Sequence, residues 1–345
     1  MIGCAWRVLV VLLTLMVALA VGTPTGRYLV RAAWEEGKIL AHRRPIPEVI
    51  ADSSTPPEAR DKLRLVLAAR DFAQDTIGLK AKRSFTTYTR VDHDTLVMVL
   101  GAAYRDQLRA YTWWFPIVGS VPYKGYFDFA AAERAAASLR DKGFDAYVRP
   151  TSAFSTLGFF NDPLLSSSLH ADTIDLANTV IHELTHNTYY AAGRATFNES
   201  FANFVGSRGS EEFFRSRGDT GAARQAAERW ADEKILGRFW TGLYNELDSA
   251  FRAHPTDKRA RLAIRDTIFR QAHERLIDSV GPELKTYPKE ALVRARFDNA
   301  ALMARRVYHT GLDHFDSVYA QSGNDLALAV RRIITDARQR SGHKE

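Results

Sequence analysis

Residues 182–186 read His-Glu-Leu-Thr-His. On an α-helix the two histidines lie about 40° apart around the axis, with Glu183 about 60° beyond His186, so all three share a face. Two imidazoles one turn apart can grip one tetrahedral Zn²⁺, while the intervening carboxylate reaches the water beside the metal rather than the metal itself. Chance produces this pattern in about one chain in a hundred of similar composition, so its surroundings must decide its meaning. Catalytic zinc needs a third protein ligand and an open fourth position. Glu199, separated from His186 by twelve residues, is the candidate. Glu183 is then the general base, taking a proton from water and returning it to the leaving amine.

The elements that must position these groups can be read from periodicity. Ile174, Ala177, Ile181 and Leu184 recur at helical spacing around the motif, with Asp172 as N-cap and Gly193 as the stop. Asn198 is the expected N-cap of a second helix carrying Glu199, with Phe201, Phe204 and Val205 behind it. A tight turn over 193–196 returns that helix beside the first. A developing oxyanion also needs a second donor. Tyr308 is the choice, with Tyr189, Tyr190 and His309 as rivals, although Tyr308, Leu312, Phe315 and Tyr319 also read as one apolar helical stripe. The stretch 153–160 reads either as an edge strand along the cleft or as a loop beneath the helix.

Upstream, 56–79 carries a helical pattern ending at Gly78, and 84–100 reads as a hairpin around Asp92, His93 and Asp94. Residues 129–142 form an alanine-rich helix stopped by Gly143, and 144–149 a short strand. From Asp172 onward nearly everything is helical. The expected class is α+β, mostly helical, with a small antiparallel or mixed sheet in the N-terminal half.

Of the 345 residues only Cys4 is cysteine, which excludes an internal disulfide scaffold, a multi-cysteine zinc module and an iron–sulfur cluster; any metal must use His, Asp or Glu. The net charge of +7 is dispersed as pairs such as Arg43 and Arg44 or Arg305 and Arg306, which argues against a nucleic-acid partner. Arg7 precedes an apolar run over 8–22, the pattern of a signal peptide or a membrane anchor. Export to the cell envelope follows, with residues 23–345 as one catalytic domain.

Beyond the motif, RRPI (43–46), ARDFAQDTIGL (69–79), WWFPIVGSVPYKGYFD (113–128), AFSTLGFFNDPLLSSSL (153–169), FNESFANFVGSRG (197–209) and the helical tail over 299–308 resemble a family of bacterial predicted aminopeptidases. These are envelope-associated proteins with a zincin-like core. The resemblance implies a zincin-like fold, zinc on His182, His186 and Glu199, Glu183 as catalytic base, and a peptide substrate. The expected activity is a zinc-dependent peptidase acting on free N termini. The alternatives are a non-catalytic envelope scaffold that binds peptides, and a zinc hydrolase of another amide.

Overall fold

The structure, a computed structural model, describes residues 6–7, 21–91, 97–115, 119–151 and 161–342. Helix α1 (Pro24–Ala41) starts where the Thr23 hydroxyl accepts the Gly26 N–H. Strand β1 (Arg44–Pro45) and the short α2 (Ile46–Ala51) lead to α3 (Pro57–Phe72), which relaxes into a π-turn over Ala73–Ile77 and stops at left-handed Gly78. That is the helix its periodicity predicts. Strands β2 (Thr87–Thr89), β3 (Val97–Tyr104), β4 (Trp113–Phe115), β5 (Gly119–Val121) and β6 (Tyr123–Tyr126) follow. Helix α4 (Phe129–Asp141), strand β7 (Phe144–Thr151) and strand β8 (Leu164–Leu165) complete the first half.

The second half is helical: α5 (Thr173–Thr188), α6 (Ala195–Ser216), α7 (Thr220–Ala253), α8 (Lys258–Arg275), α9 (Lys289–Val293), α10 (Asn299–Tyr308), α11 (Leu312–Gln321) and α12 (Leu326–Gly342). The mostly helical α+β class is therefore observed, with the strands distributed among three small sheets. One, ordered β6-β3-β7, is fully antiparallel; β1-β2-β8 is mixed; β4 and β5 form a separate pair.

The hairpin expected over 84–100 does not form. Both strands exist, but β2 pairs with β1 and β8, while β3 pairs with β6 and β7. The side chains and backbone of β2 are committed elsewhere: Thr89 donates its hydroxyl to the Ile39 carbonyl, and nearby Val91 N–H donates to Ser166. The expected turn residues Asp92, His93 and Asp94 lie outside the described residues, as do 8–20 of the apolar N-terminal run and the stretch 152–160. Among the described residues no helix is long and apolar enough to cross a membrane.

Three apolar clusters hold this arrangement together. The largest joins α3, α5, α6, α11 and α12 through side chains such as Leu63, Ile181, Leu184, Phe204 and Phe315. A second joins α7 and α8, and a third packs α4 against β3 and β7 through Leu100, Ala136, Leu139 and Ala146. Helix α10 touches β3 and β7 on one side and α6 and α7 on the other. It thereby fixes the sheet relative to the helices that carry the motif.

Candidate metal centre

Helix α5 begins as its sequence predicts. The Asp172 carboxylate accepts the N–H groups of Ile174 and Asp175 at 3.0 and 2.9 Å. Its Ile174, Ala177, Ile181 and Leu184 are buried in the core, which leaves His182 and Glu183 on the other side. The helix ends earlier than Gly193, however. Thr188 turns its hydroxyl back to the Leu184 carbonyl, and Tyr189 is already extended. Asn198 explains why: its Oδ1 accepts from Ala191 N–H at 2.9 Å and its Nδ2 donates to the Ala191 carbonyl at 2.8 Å. Both backbone groups are satisfied in a non-helical turn. Asn198 is therefore not the N-cap of α6, which starts at Ala195 behind Arg194; it is a buried clasp on the connection.

Helices α5 and α6 run antiparallel, because positions rise along α6 as their partners fall along α5: Glu199 meets His186 and His182, and Ser207 meets Asn178. Small residues set their separation. A Cβ on Gly206 would stand 2.5 Å from Asn178 Oδ1 and 3.2 Å from His182 Cβ, and one on Gly209 would stand 2.9 Å from Ile181. Only glycine permits this approach.

The approach brings three donors together. His182 Nε2 and His186 Nε2 are 3.2 Å apart, and each lies 3.5 or 3.6 Å from a Glu199 oxygen. Metal–ligand distances of about 2.0–2.2 Å put neighbouring donors of a tetrahedron about 3.3–3.6 Å apart. The histidine nitrogens lie close to that edge, each imidazole faces its own Glu199 oxygen, and one ligand atom from each side chain falls within 4.8 Å of the others, so the three could hold a metal ion. Burial by itself raises the pKa of the Glu199 carboxyl, but hydrogen bonds and charge from His182 and His186 outweigh it and hold the group well below its usual range. Burial likewise disfavours protonated His186; the hydrogen bond with Glu199 and the charges of Glu183 and Glu199 reverse that and raise its pKa. Among the described residues, His186 Nδ1 and Glu183 Oε2 are buried without a hydrogen-bond partner. Glu183 also lines a small pocket with Asp162, Ser168 and Thr179.

Tyr308 lies within electrostatic reach of Glu199 and Glu183. Burial raises its phenol pKa and the charge of Glu199 raises it further, with Arg149 opposing and Glu183 adding. Its stripe is broken: α10 ends at Tyr308, and left-handed Gly311 starts α11 on a new course, so Leu312, Phe315 and Tyr319 enter the core without it. Asn203 donates to the Tyr308 carbonyl, and Ser200 donates to the Val307 carbonyl while accepting Thr310 N–H. The residues flanking Glu199 thus anchor the chain on either side of Tyr308.

The other expected donors are placed differently. The Tyr190 ring stands 6.3 Å from His186, while Tyr189 packs on Phe197 beneath Arg338. His309 Nε2 stands 2.6 Å from Glu233 in an ion-pair contact without hydrogen-bond geometry, and its Nδ1 meets the Arg305 carbonyl, so the ring faces Glu233 rather than the candidate centre. Two residues were missed in the sequence. Arg149, from β7, donates to the Tyr308 hydroxyl at 2.9 Å across 159 positions. No spacing rule links residues so distant. Tyr123, whose phenol burial and the nearby Tyr190, Glu199 and Tyr308 lift to about 12, sits in the aromatic stretch 113–128 that carries part of the family resemblance.

The model of the family described as "Putative aminopeptidase" matches residues 27–342. No curated protein and no solved structure matches.

Proposed function

The chain belongs to the putative aminopeptidase family, and from that premise we propose that it is a zinc-dependent peptidase acting on substrates with a free N terminus. One observation carries the reading: two imidazole nitrogens 3.2 Å apart, each within 3.6 Å of an oxygen of the same carboxylate, with a Glu183 carboxylate oxygen, on the same helix as the histidines, that has no hydrogen-bond partner among the described residues. The donor set fits the group, since two imidazoles and one carboxylate are borderline ligands suited to zinc and leave a fourth position for chemistry. His182, His186 and Glu199 would hold the ion.

When bound, zinc supplies Lewis acidity, polarising the scissile carbonyl and lowering the pKa of a water from 15.7 to about 7. Glu183 removes a proton from the attacking water and returns it to the departing amine. Tyr308 donates its hydroxyl hydrogen to the carbonyl oxygen as negative charge gathers there. The α5–α6 glycine contact keeps ligands and base in fixed relation, so little reorganisation accompanies the reaction.

The apolar run over 8–22 supports an export signal or anchor, with residues 23–345 working as one domain in the cell envelope. The partner is a peptide, and nucleic acid has no part in the reading.

The test uses the purified full chain and one peptide supplied with a free and with an acetylated N terminus. About one zinc per chain is expected, with cleavage of the free peptide, loss on chelation and recovery with added zinc. Equal cleavage of both peptides replaces the exopeptidase reading with an endopeptidase one. Turnover that survives complete metal removal ends the metallopeptidase reading. Full zinc occupancy without turnover of peptides or other amides favours the scaffold.

A further inference from the structure

We propose that Arg149 is a positioning residue that dictates which way the Tyr308 hydroxyl hydrogen points. The inference rests on the peptidase reading above and adds a residue to it. A guanidinium has five N–H donors and no acceptor, whereas a phenol can donate once and also accept. With Arg149 Nη2 donating to the Tyr308 oxygen at 2.9 Å, the hydrogen of that hydroxyl must turn elsewhere. The electrostatic surroundings decide where. Tyr308 feels the negative charge of Glu199 and Glu183, and negative charge attracts a hydroxyl hydrogen, so the proposed orientation is toward the candidate centre, where a substrate carbonyl would gain charge.

The geometry around the pair is rigid. Arg149 lies in a ladder of eight residue pairs between β3 and β7, opposite Val99, and its guanidinium also stands 5.3 Å from the Tyr308 ring. Tyr308 is pinned by Asn203 through its carbonyl, and its neighbours by Ser200. These contacts fix the two backbones from which the guanidinium and the phenol reach each other. A lysine at 149 would keep the charge and the donor-only character but lose the fixed planar fork.

The test compares zinc-loaded full-length Arg149→Met, Arg149→Lys, Tyr308→Phe and the double variant Arg149→Met/Tyr308→Phe. For Arg149→Met, kcat is expected to fall about 10²-fold, the scale of one lost oxyanion donor, with KM within about threefold and zinc content unchanged. Affinity for a phosphinic peptide that mimics the tetrahedral geometry should fall in parallel, and Arg149→Lys should recover part of both. The double variant should be no slower than Tyr308→Phe, because Arg149 acts through the hydroxyl. Multiplying losses in the double variant, a raised KM at normal kcat, or an unchanged phosphinate affinity would each overturn the proposal. Should Arg149→Met fail to fold, Arg149→Lys in the wild-type and Tyr308→Phe backgrounds supports the same comparison. Undiminished turnover in Glu183→Gln defeats the underlying reading instead, so the two failures are separable.

Discussion

Two histidine–glutamate clusters sit close together in this molecule, and they do different work. At the candidate metal centre His182, His186 and Glu199 bring three ligand-type atoms within 4.8 Å of one another, and among the described residues His186 Nδ1 and Glu183 Oε2 have no hydrogen-bond partner. In the second cluster, His309 sets Nε2 in a 2.6 Å ion-pair contact with Glu233 and Nδ1 on the Arg305 carbonyl, while Glu233 also accepts the Tyr287 hydroxyl at 2.6 Å. In the first, three ligand-type side chains face one another around a shared point; in the second, the imidazole faces one carboxylate and one backbone carbonyl. Residue type and burial are similar in both, so what separates a candidate site from an internal brace is whether the polar atoms converge on a shared point or on each other.

Substitutions should separate the clusters. The largest effect is expected for Glu183→Gln, with kcat lowered about 10²- to 10⁴-fold at unchanged zinc content, measured by turnover together with elemental analysis. A loss of metal in that variant would mean Glu183 is a ligand. Next, His309→Ala strands the largely enclosed Glu233 carboxylate and should cost about 3 kcal/mol of stability in denaturant titration, while zinc stoichiometry stays at the wild-type value. Zinc loss in His309→Ala without destabilisation would erase the distinction drawn between the clusters.

A smaller change tests how the first cluster is assembled. Gly206→Val forces a side chain against Asn178 and His182, and overpacking of this kind costs about 1–3 kcal/mol. It should weaken zinc affinity as well, because the displaced helix carries Glu199. Normal affinity in a destabilised protein would show that α6 can shift without moving its ligand.

The smallest effect concerns a carboxyl with no imidazole beside it. Burial, reinforced by the charge of Asp162 and opposed by Arg43, lifts Glu36 from 4.5 to about 7. The folded protein therefore holds this proton more tightly than the unfolded chain. The associated stability is present below about 4.5 and drains away as pH rises through 7. Glu36→Gln should match wild type near pH 4.5 and exceed it at pH 8, by about 1 kcal/mol once partial exposure is allowed for. Thermal melts at the two pH values decide; equal melts at pH 8 would place Glu36 in a more solvated setting.

Much of the local structure was legible because local rules suffice for it. Asp172 caps α5, Gly143 ends α4, and the apolar period of α5 faces the core, each through groups within a few residues. Errors arose where a residue's partner lies outside that window. Asn198 looks like a cap until Ala191 occupies its amide; Tyr308 looks like part of a stripe until Gly311 redirects the chain; β2 and β3 look like a hairpin until other strands claim them.

The sequence by itself determined the α+β class, the helix that holds His182 and His186 one turn apart, and the identity of three convergent ligand types, because helical geometry repeats every 3.6 residues whatever surrounds it. Tertiary structure alone decided that Gly206 lets Glu199 within reach, that Arg149 meets Tyr308, and that His309 is consumed by Glu233. Those outcomes depend on which helix and strand surfaces pack together, a competition among burial, hydrogen bonding and sterics across the whole chain that no local spacing records.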